Sequence, residues 1–435
     1  MKACLLAAGE GKRLAPLTET RPKHMIPIAG KPLLQYTLEI LRENGITEIQ
    51  LIVGYLKEKI QEYFGDGSKF SLKITYTEQK EFLGTGHATA LAEKFSEGEP
   101  FLLIYADLFF DPQIITKSIE TFNAGGIDAT IAAFRVPDPQ KFGIIKTSPS
   151  GLMEQIIEKP PDDRYGTLAN AGVYLFTPPI FDGIRATEKS PRGEYELTES
   201  MQRCIDKGYK IKVIDVSGLY WSDVGHAWQI LSANHHMMEK MTEGNWWRDE
   251  KYCLQHNIHI DPNVTIKGVV KIGDNTQIKA GTYIEGPVII GEQCVIGPNA
   301  YLRPYSAIGN YCKIGNSSEV KASILMDYSA LPHLSYAGDS ILGEHVNFGC
   351  GTVTANVRLD KQQITMRIKG QKVATGCAKL GAVIGDFASL GVQVSIMPGK
   401  TIGSYAQVGS NVVVSEDIPA STRVYTKNEL ISKKL

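Results

Sequence analysis

The stretch Ile266–Gly291, IKGVVKIGDNTQIKAGTYIEGPVIIG, decides the fold of the second half of this chain. Ile266, Ile272, Ile278, Ile284 and Ile290 recur at every sixth residue, and the pattern extends from Ile260 through Ile296, Leu302, Ile308, Ile314 and Val320 to Met326. A period of six matches neither the 3.6 of an α-helix nor the two of a strand. It predicts a triangular coil of three short faces, each turning one aliphatic residue inward, so that stacked coils share a continuous core. The pattern returns at Leu342 and Phe348, then at Ile384, Leu390, Ile396, Ile402, Val408 and Val414. Two interruptions, 327–341 and 355–378, are expected to leave the solenoid as loops, where function tends to lie.

Such hexapeptides resemble the left-handed parallel β-helix family, and the handedness comes from that resemblance. Eleven of the 42 glycines directly follow a six-residue position, as Gly273, Gly291 and Gly385 do. They are expected at tight turns, where glycine's backbone freedom is useful.

Ahead of the repeats, short apolar runs alternate with amphipathic stretches, as in an α/β sheet domain. Strands are expected at Ala3–Ala8, Ile49–Val53, Phe101–Tyr105, Ala129–Val136 and Gly172–Phe176, with a helix over Pro32–Asn44 and a mainly parallel sheet. A connecting helix is expected over His226–Met241. Its neighbouring His235 and His236 point in different directions on a helix and are read as ordinary surface residues, not metal ligands.

With 435 residues and a net charge of −1, two or more domains are expected, without general attraction to nucleic acid or anionic membrane. Residues 1–250 carry 28 Lys and Arg against 34 Asp and Glu, so any phosphate site there must be local. The seven cysteines contain no CxxC and read as reduced thiols. No signal peptide or membrane-spanning run is visible, which points to a soluble cytoplasmic protein.

LAAGEGKRLAPLTETRPK (Leu6–Lys23) reads as a strand, a loop of small residues and two cations. Backbone N–H groups in such a loop can hold phosphate oxygens. It is not a Walker A loop, and Leu14 occupies the third-glycine position of a dinucleotide fingerprint. It closely resembles the signature of the sugar-1-phosphate nucleotidylyltransferases, and further motifs follow in that family's order.

The resemblance implies an α/β Rossmann-like nucleotidyltransferase domain. Arg13 and Lys23 would act on the triphosphate, with Leu6, Ala7, Ala8 and Gly9 in its binding loop. In QKEFLGTGHA, Gln79, Gly84 and Thr85 would read uracil, or thymine. YAD contributes Tyr105 and Asp107, FGIIK contributes Gly143, IIEKP contributes Glu158 and Lys159, NAGVYLF contributes Asn170, and WSDVG contributes Asp223. Asp107 and Asp223 would hold Mg²⁺, and the others would bind the sugar phosphate. Singly, Asp107 and Asp223 could be turn caps and Lys159 a solvated charge. Six motifs in one family's order are not explained that way.

The β-helix alone could be a spacer or an assembly device. Within it, however, YLRPYSAIG, SEVKA, LPHLSYAGDS and NFGCGTVTAN resemble the acetyltransferase site of the bifunctional N-acetylglucosamine-1-phosphate uridylyltransferase/glucosamine-1-phosphate acetyltransferases. That resemblance implies His333 as general base toward acetyl-CoA, Arg303 and Lys321 as phosphate clamps, and Glu319, Tyr336, Asn347 and Asn356 as substrate-positioning residues. Cys350 lies near the cofactor path. Val357 and Leu359 replace a tyrosine and a glycine of the bacterial pattern, and Lys361 is the nearby lysine. In this stretch the chain resembles the shorter archaeal-type members, so galactosamine 1-phosphate is a second candidate substrate.

The expected organisation is a nucleotidyltransferase domain over 1–230, a helical linker over 231–253, a left-handed β-helix over 254–427 and a tail over 428–435. The expected assembly is a homotrimer or a dimer of trimers, with 355–378 or the stretch from Ser415 reaching a neighbour. The expected reactions are acetylation of glucosamine 1-phosphate and transfer of uridylyl from UTP to the N-acetylated product. Two alternatives stay open: a monofunctional uridylyl- or thymidylyltransferase with a structural β-helix, and a catalytically degenerate regulatory subunit.

Overall fold

The computed structural model describes residues 1–427, 429 and 431–433; the remainder of the expected tail, Asn428, Leu430, Lys434 and Leu435, lies outside the described residues. The chain forms two compact units. One comprises Met1–Glu10, Pro22–Met25 and Leu33–Asp223, and the other Gly11–Arg21, Ile26–Pro32 and Val224–Leu435.

In the first unit, strands β1 (Lys2–Ala7), β2 (Glu48–Val53), β3 (Lys73–Glu78) and β4 (Phe101–Tyr105) lie side by side in the order β4-β1-β2-β3, all parallel. Cys4, Leu5, Leu51, Leu102 and Leu103 are fully buried, as a parallel sheet covered on both faces requires. The helix Leu33–Glu43 turns Leu34, Leu38 and Leu41 to this core and ends before Gly45, whose φ is +76°.

Beyond β4 the expected parallel sheet gives way to a mixed one. Strand β5 (Leu108–Phe110) leaves the sheet, and β6 (Ala129–Arg135), β7 (Gly143–Thr147), β8 (Met153–Glu158), β9 (Leu168–Phe176) and β10 (Ile211–Asp215) complete it. β9 runs antiparallel to β4, β6 and β7, β8 runs antiparallel to β7, and β10 lies parallel to β6. The reversal has a purpose. Because β9 enters where β4 leaves, its first residues lie beside the C-terminal end of β4. Strand β11 (Trp221–Asp223) pairs with β5 and sets Asp223 opposite Leu108.

The second unit contains the left-handed parallel β-helix. Its three faces are parallel sheets of nine, eight and seven strands. Register follows the repeat: Ile278 pairs with Ile296 on the first face, Ile284 with Leu302 on the second, and Ile290 with Ile308 on the third. All six are essentially buried and share one core.

The first expected interruption is not a loop. Residues Ala330–His333 and Tyr336–Gly338 are ordinary coil strands. Two steps are five residues long: Val320 to Leu325 and Ala337 to Leu342. Each lost residue moves the aliphatic positions by one, so Leu325, Leu331 and Ala337 point inward where a strict period names Met326. The second interruption is a true excursion, folded into the hairpin Thr365–Ile368/Gln371–Ala374. The stretch after Ser415 adds a further partial coil, with Ile418 bridging to Ile402 and Arg423–Val424 pairing with Gln407–Val408.

The coil glycines also need a different explanation. Gly273, Gly291 and Gly385 do not have a left-handed φ. A Cβ on Gly273 would instead lie 2.6 Å from the backbone nitrogen of Glu292 in the next coil, and one on Gly385 2.6 Å from that of Ser404. Glycine is required here by close approach of stacked backbones. Gly297, at φ +93°, does take a left-handed turn, but most left-handed corners are occupied by other residues, among them Tyr311, Tyr328, His345, Phe387 and Tyr405, whose rings stack successively at 4.5–4.9 Å.

The connecting helix runs from Ala227 to Glu239. His235 stacks on Tyr305 at 3.6 Å and faces Glu239 at 3.0 Å. Among the described residues there is no cluster of three or more potential metal-ligating side chains, and no helix is long and apolar enough to cross a membrane. All seven cysteines are free.

Candidate active sites

At the C-terminal end of β4 and the start of β5 the first unit encloses a cavity of about 240 Å³. Thr85, Tyr105, Asp107, Gly143, Glu158, Lys159, Asn170 and Asp223 all line it. A larger hollow of about 700 Å³, bounded by Asp128, Asp182 and Lys207, contains none of the expected residues.

The pairing geometry explains this convergence. Strand β4 delivers Tyr105 and Asp107, the β5–β11 pair brings Asp223 alongside, and the β7–β8 register sets Gly143 opposite Glu158. A Cβ on Gly143 would lie 3.1 Å from Glu158 Oε2, so glycine leaves room for that carboxylate. Where β9 shifts register, Asn170 Oδ1 accepts from the Gly172 N–H at 2.9 Å, and its Nδ2 donates to Tyr174 Oη at 2.6 Å. Tyr174 Oη in turn donates to Tyr105 Oη at 3.1 Å. Gly172, at φ +73°, admits the Tyr105 ring, which would lie 2.8 Å from a Cβ.

Lys23 forms an ion pair with Asp107. Burial pushes the Asp107 carboxyl up, but the Lys23 ammonium outweighs it and holds the group below its usual range. For Glu158 the balance is opposite: burial raises its carboxyl, and Lys159 and Arg192 compensate only partly. Lys159 has φ +46°, a left-handed conformation for a bulky residue, and its N–H is tied to Phe142 O at 2.9 Å. Such strain is retained where its surroundings fix it.

Leu6 and Ala7 end β1, Leu6 lying opposite Tyr105, and Ala8 O accepts from the Tyr55 N–H. Gly9 has nothing within 4 Å of a notional Cβ and so presents open backbone. Gln79 is buried, donating to Gly84 O at 3.3 Å. Gly84, at φ +99°, packs on Tyr195, while Thr85 Oγ1 accepts from the Leu197 N–H at 3.1 Å. Arg13 is exposed and belongs to the second unit.

Arg192, Glu196, Thr198 and Trp221 also line the cavity and were not singled out from sequence. Arg192 Nη2 lies 2.7 Å from Glu196 Oε1 and 3.3 Å from Glu158 Oε1, beside the expected phosphate lysine. The only sequence signal was a cation among acids in PRGEYELTES.

In the β-helix, the second face carries Arg303, Glu319, Lys321, Tyr336 and Asn356 on adjacent coils. Arg303 Nη1 donates to Glu319 Oε1 at 2.9 Å. Lys321 Nζ and Asn356 Nδ2 both donate to Asp339 Oδ2, at 2.8 and 2.5 Å, and Asn356 also reaches Tyr336 Oη at 3.2 Å. Asp339 lies within the quoted motif LPHLSYAGDS, but its role as the shared acceptor requires the coil geometry. His333 and Asn347 are exposed on the first face, with His333 ending its strand and Cys350 one coil further on. Val357 and Leu359 are exposed.

A mixed sheet with a carboxylate- and lysine-lined cavity at its strand ends, followed by a β-helix with a polar clamp on one face, defines a two-site transferase. Residues 2–240 match the nucleotidyl transferase family and residues 284–418 the GMPPB C-terminal domain. Over 435 residues, all of this chain and 99% of the relative, the identity to bifunctional protein GlmU of Methanococcus maripaludis strain C7 is 44%. It is 41% to the bifunctional sugar-1-phosphate nucleotidylyltransferase/acetyltransferase of Sulfurisphaera tokodaii, covering 96% of this chain and 98% of the relative. A solved structure of UDP-glucose pyrophosphorylase complexed with UDP-glucose is similar, at 26% identity and a TM-score of 0.50, covering 55% of this chain and 99% of that one. The chain belongs to the bifunctional sugar-1-phosphate nucleotidylyltransferase/acetyltransferase family.

Proposed function

We propose that this enzyme acetylates glucosamine 1-phosphate with acetyl-CoA and couples the N-acetylated product to UTP, giving UDP-N-acetylglucosamine and pyrophosphate. The observation that carries the nucleotidyl half is the single cavity in which Asp107, Asp223, Glu158, Lys159 and Asn170 meet. In that reaction a sugar phosphate oxygen attacks the α-phosphorus in line, and the Pα–O bond of the α–β phosphoanhydride breaks, its bridging oxygen leaving with pyrophosphate. No general base is needed, because the phosphate is already an anion. Lys159 and Arg192 hold the sugar phosphate, and Glu158 and Asn170 orient the sugar. Arg13 and Lys23 balance charge on the triphosphate.

Two carboxylates in one cavity, one of them kept ionised, fit magnesium, which commonly takes one or two carboxylates and fills its other positions with phosphate oxygens and water. Bound there, it would neutralise phosphate charge. Asp107 and Asp223 would hold it, and Lys23 would be displaced from Asp107 toward the triphosphate.

For acetyl transfer, the sugar amine attacks the thioester carbonyl and the CoA thiolate leaves. His333 takes the amine proton on an imidazole nitrogen, as a general base. Lys321 and Arg303 hold the phosphate, while Tyr336, Asn347 and Asn356 position the amine. The assembly would be a homotrimer or a dimer of trimers in the cytoplasm.

The test is a matrix of triphosphates against sugar phosphates, with acetyl-CoA present or absent, reading pyrophosphate and CoA thiol. His333→Ala should abolish thiol release and spare pyrophosphate release, and Asp223→Ala the reverse. Loss of both activities in a folded His333→Ala protein refutes the two-site assignment.

A further inference from the structure

The Gly11–Arg21 segment belongs to the same compact unit as the β-helix, and its last three residues explain why. Arg21 is only 7% exposed and forms an ion pair with Asp386, itself 2% exposed. Arg21 Nη1 also lies 3.1 Å from Glu344 Oε1 and donates to Met326 Sδ at 2.7 Å. Thr20 Oγ1 donates to Asp386 Oδ2 at 2.5 Å, while Asp386 Oδ1 accepts from the Glu344 N–H at 2.8 Å. Glu19 Oε2 accepts from the Ser404 N–H at 2.7 Å. Met326, Glu344, Asp386 and Ser404 each follow a third-face strand, on four successive coils. Three consecutive loop residues are thus fastened along one corner of the solenoid.

The rest of the segment is stiff. Leu14 N–H donates to Gly11 O at 2.8 Å, Leu17 N–H to Leu14 O at 3.0 Å, and Thr18 Oγ1 to Gly11 O at 3.1 Å, with Leu14 and Leu17 buried. Arg13 lies within this braced turn, its guanidinium packed over Gly225. A buried ion pair contributes little net stability compared with apolar packing, so fixing geometry is its better-attested use.

We propose that Arg21 is a positioning residue for nucleotidyl transfer: through Asp386 it holds the loop that carries Arg13. This rests on the reading of Arg13 as a triphosphate-binding residue.

The test uses the full chain and the variants Arg21→Met, Asp386→Asn, their double and Arg21→Lys, reading pyrophosphate release against UTP and thiol release from the same preparations. Each single change should lower kcat/KM for UTP about tenfold or more, as small misplacements of a catalytic group do. The double should be no worse than the poorer single, because one shared interaction is lost. Arg21→Lys should recover part of the rate, and thiol release should stay within about twofold of the parent. If a variant does not fold, Thr20→Val and Glu19→Ala each remove one tie and should act in the same direction. Parent-like pyrophosphate release in folded variants, or equal loss of both activities, overturns the proposal. An active Arg13→Ala enzyme would instead overturn the reading beneath it, and an inactive Arg13→Ala beside a parent-like Arg21→Met would overturn the anchor alone.

Discussion

Replacing Asp339 by asparagine tests whether the second-face clamp holds the substrate's phosphate. Asp339 Oδ2 accepts from both Lys321 Nζ and Asn356 Nδ2, and the Asp339 and Lys321 side chains are 16% and 19% exposed. Its φ is +49°, a conformation asparagine tolerates, so Asp339→Asn removes the charge while keeping the corner. A hydrogen bond to a charged group contributes about 1.5–3 kcal/mol, and partial exposure favours the lower end. A loss of about 1.5–2 kcal/mol in positioning Lys321 corresponds to a roughly 10- to 30-fold fall in kcat/KM for the amino-sugar phosphate. The assay is CoA thiol release, with pyrophosphate release as the internal control. Asp339→Ala should cost more, since it leaves Lys321 a half-buried ammonium without its carboxylate. Unchanged thiol release in Asp339→Asn would refute the argument, as would a parallel fall in pyrophosphate release.

Gly143→Ala should raise KM for the N-acetyl sugar phosphate about tenfold, because the added methyl crowds Glu158 Oε2 and Thr198 Cγ2, both 3.1 Å away, while overpacking costs about 1–3 kcal/mol; an unchanged KM in steady-state kinetics counts against it. The Glu158 carboxyl is held above its usual range by burial, so on acidification it takes a proton earlier than a free glutamate and loses its charge. KM for the sugar phosphate should therefore begin to rise above the ordinary glutamate range, and Glu158→Gln should flatten that limb of the pH profile. Phe348→Ala, at a fully buried position in the solenoid core, should cost about 3–5 kcal/mol in urea unfolding; a cost below about 1 kcal/mol would contradict the packing.

The cavity residues were legible because they occur in short linear motifs near strand ends, some leaving β4 and β8 and others entering β7 and β9, and such ends on one edge of a sheet converge. Tyr105, Asp107, Asn170 and Asp223 needed only the correct strands to meet. Arg192 and Glu196 were not legible: they reach the cavity from an irregular stretch and a helix start, with no periodicity to place them. Arg21 was invisible for a stronger reason. Its partner Asp386 is 365 residues away, and nothing local distinguishes a buried arginine from the exposed Arg13 eight residues before it. The mixed character of the sheet was missed because strand direction leaves little mark on a buried apolar run.

The shortened coils connect the hidden part of the repeat to its chemistry. Both missing residues fall at the same corner, between the second and third faces, in consecutive coils: after Lys321 and after Gly338. The corners are closed by buried serines. Ser306 Oγ donates to Arg303 O at 2.7 Å, Ser323 Oγ donates to Lys321 O at 2.8 Å and accepts from Ser340 N–H at 3.0 Å, and Ser340 Oγ accepts from Ala382 N–H at 3.0 Å. These hydroxyls supply partners for backbone groups that a tight corner would otherwise strand. In the five-residue corner Ala322 and Asp339 take the left-handed conformation one coil apart, and the Asp339 carboxylate reaches Lys321 Nζ above it and Asn356 Nδ2 beyond. A full six-residue step would lengthen this corner and change where the carboxylate is presented. The loss of period that reads as an interruption is therefore the local geometry that closes the clamp, and a departure from strict repetition in a solenoid is itself a pointer to where a side chain has been aimed.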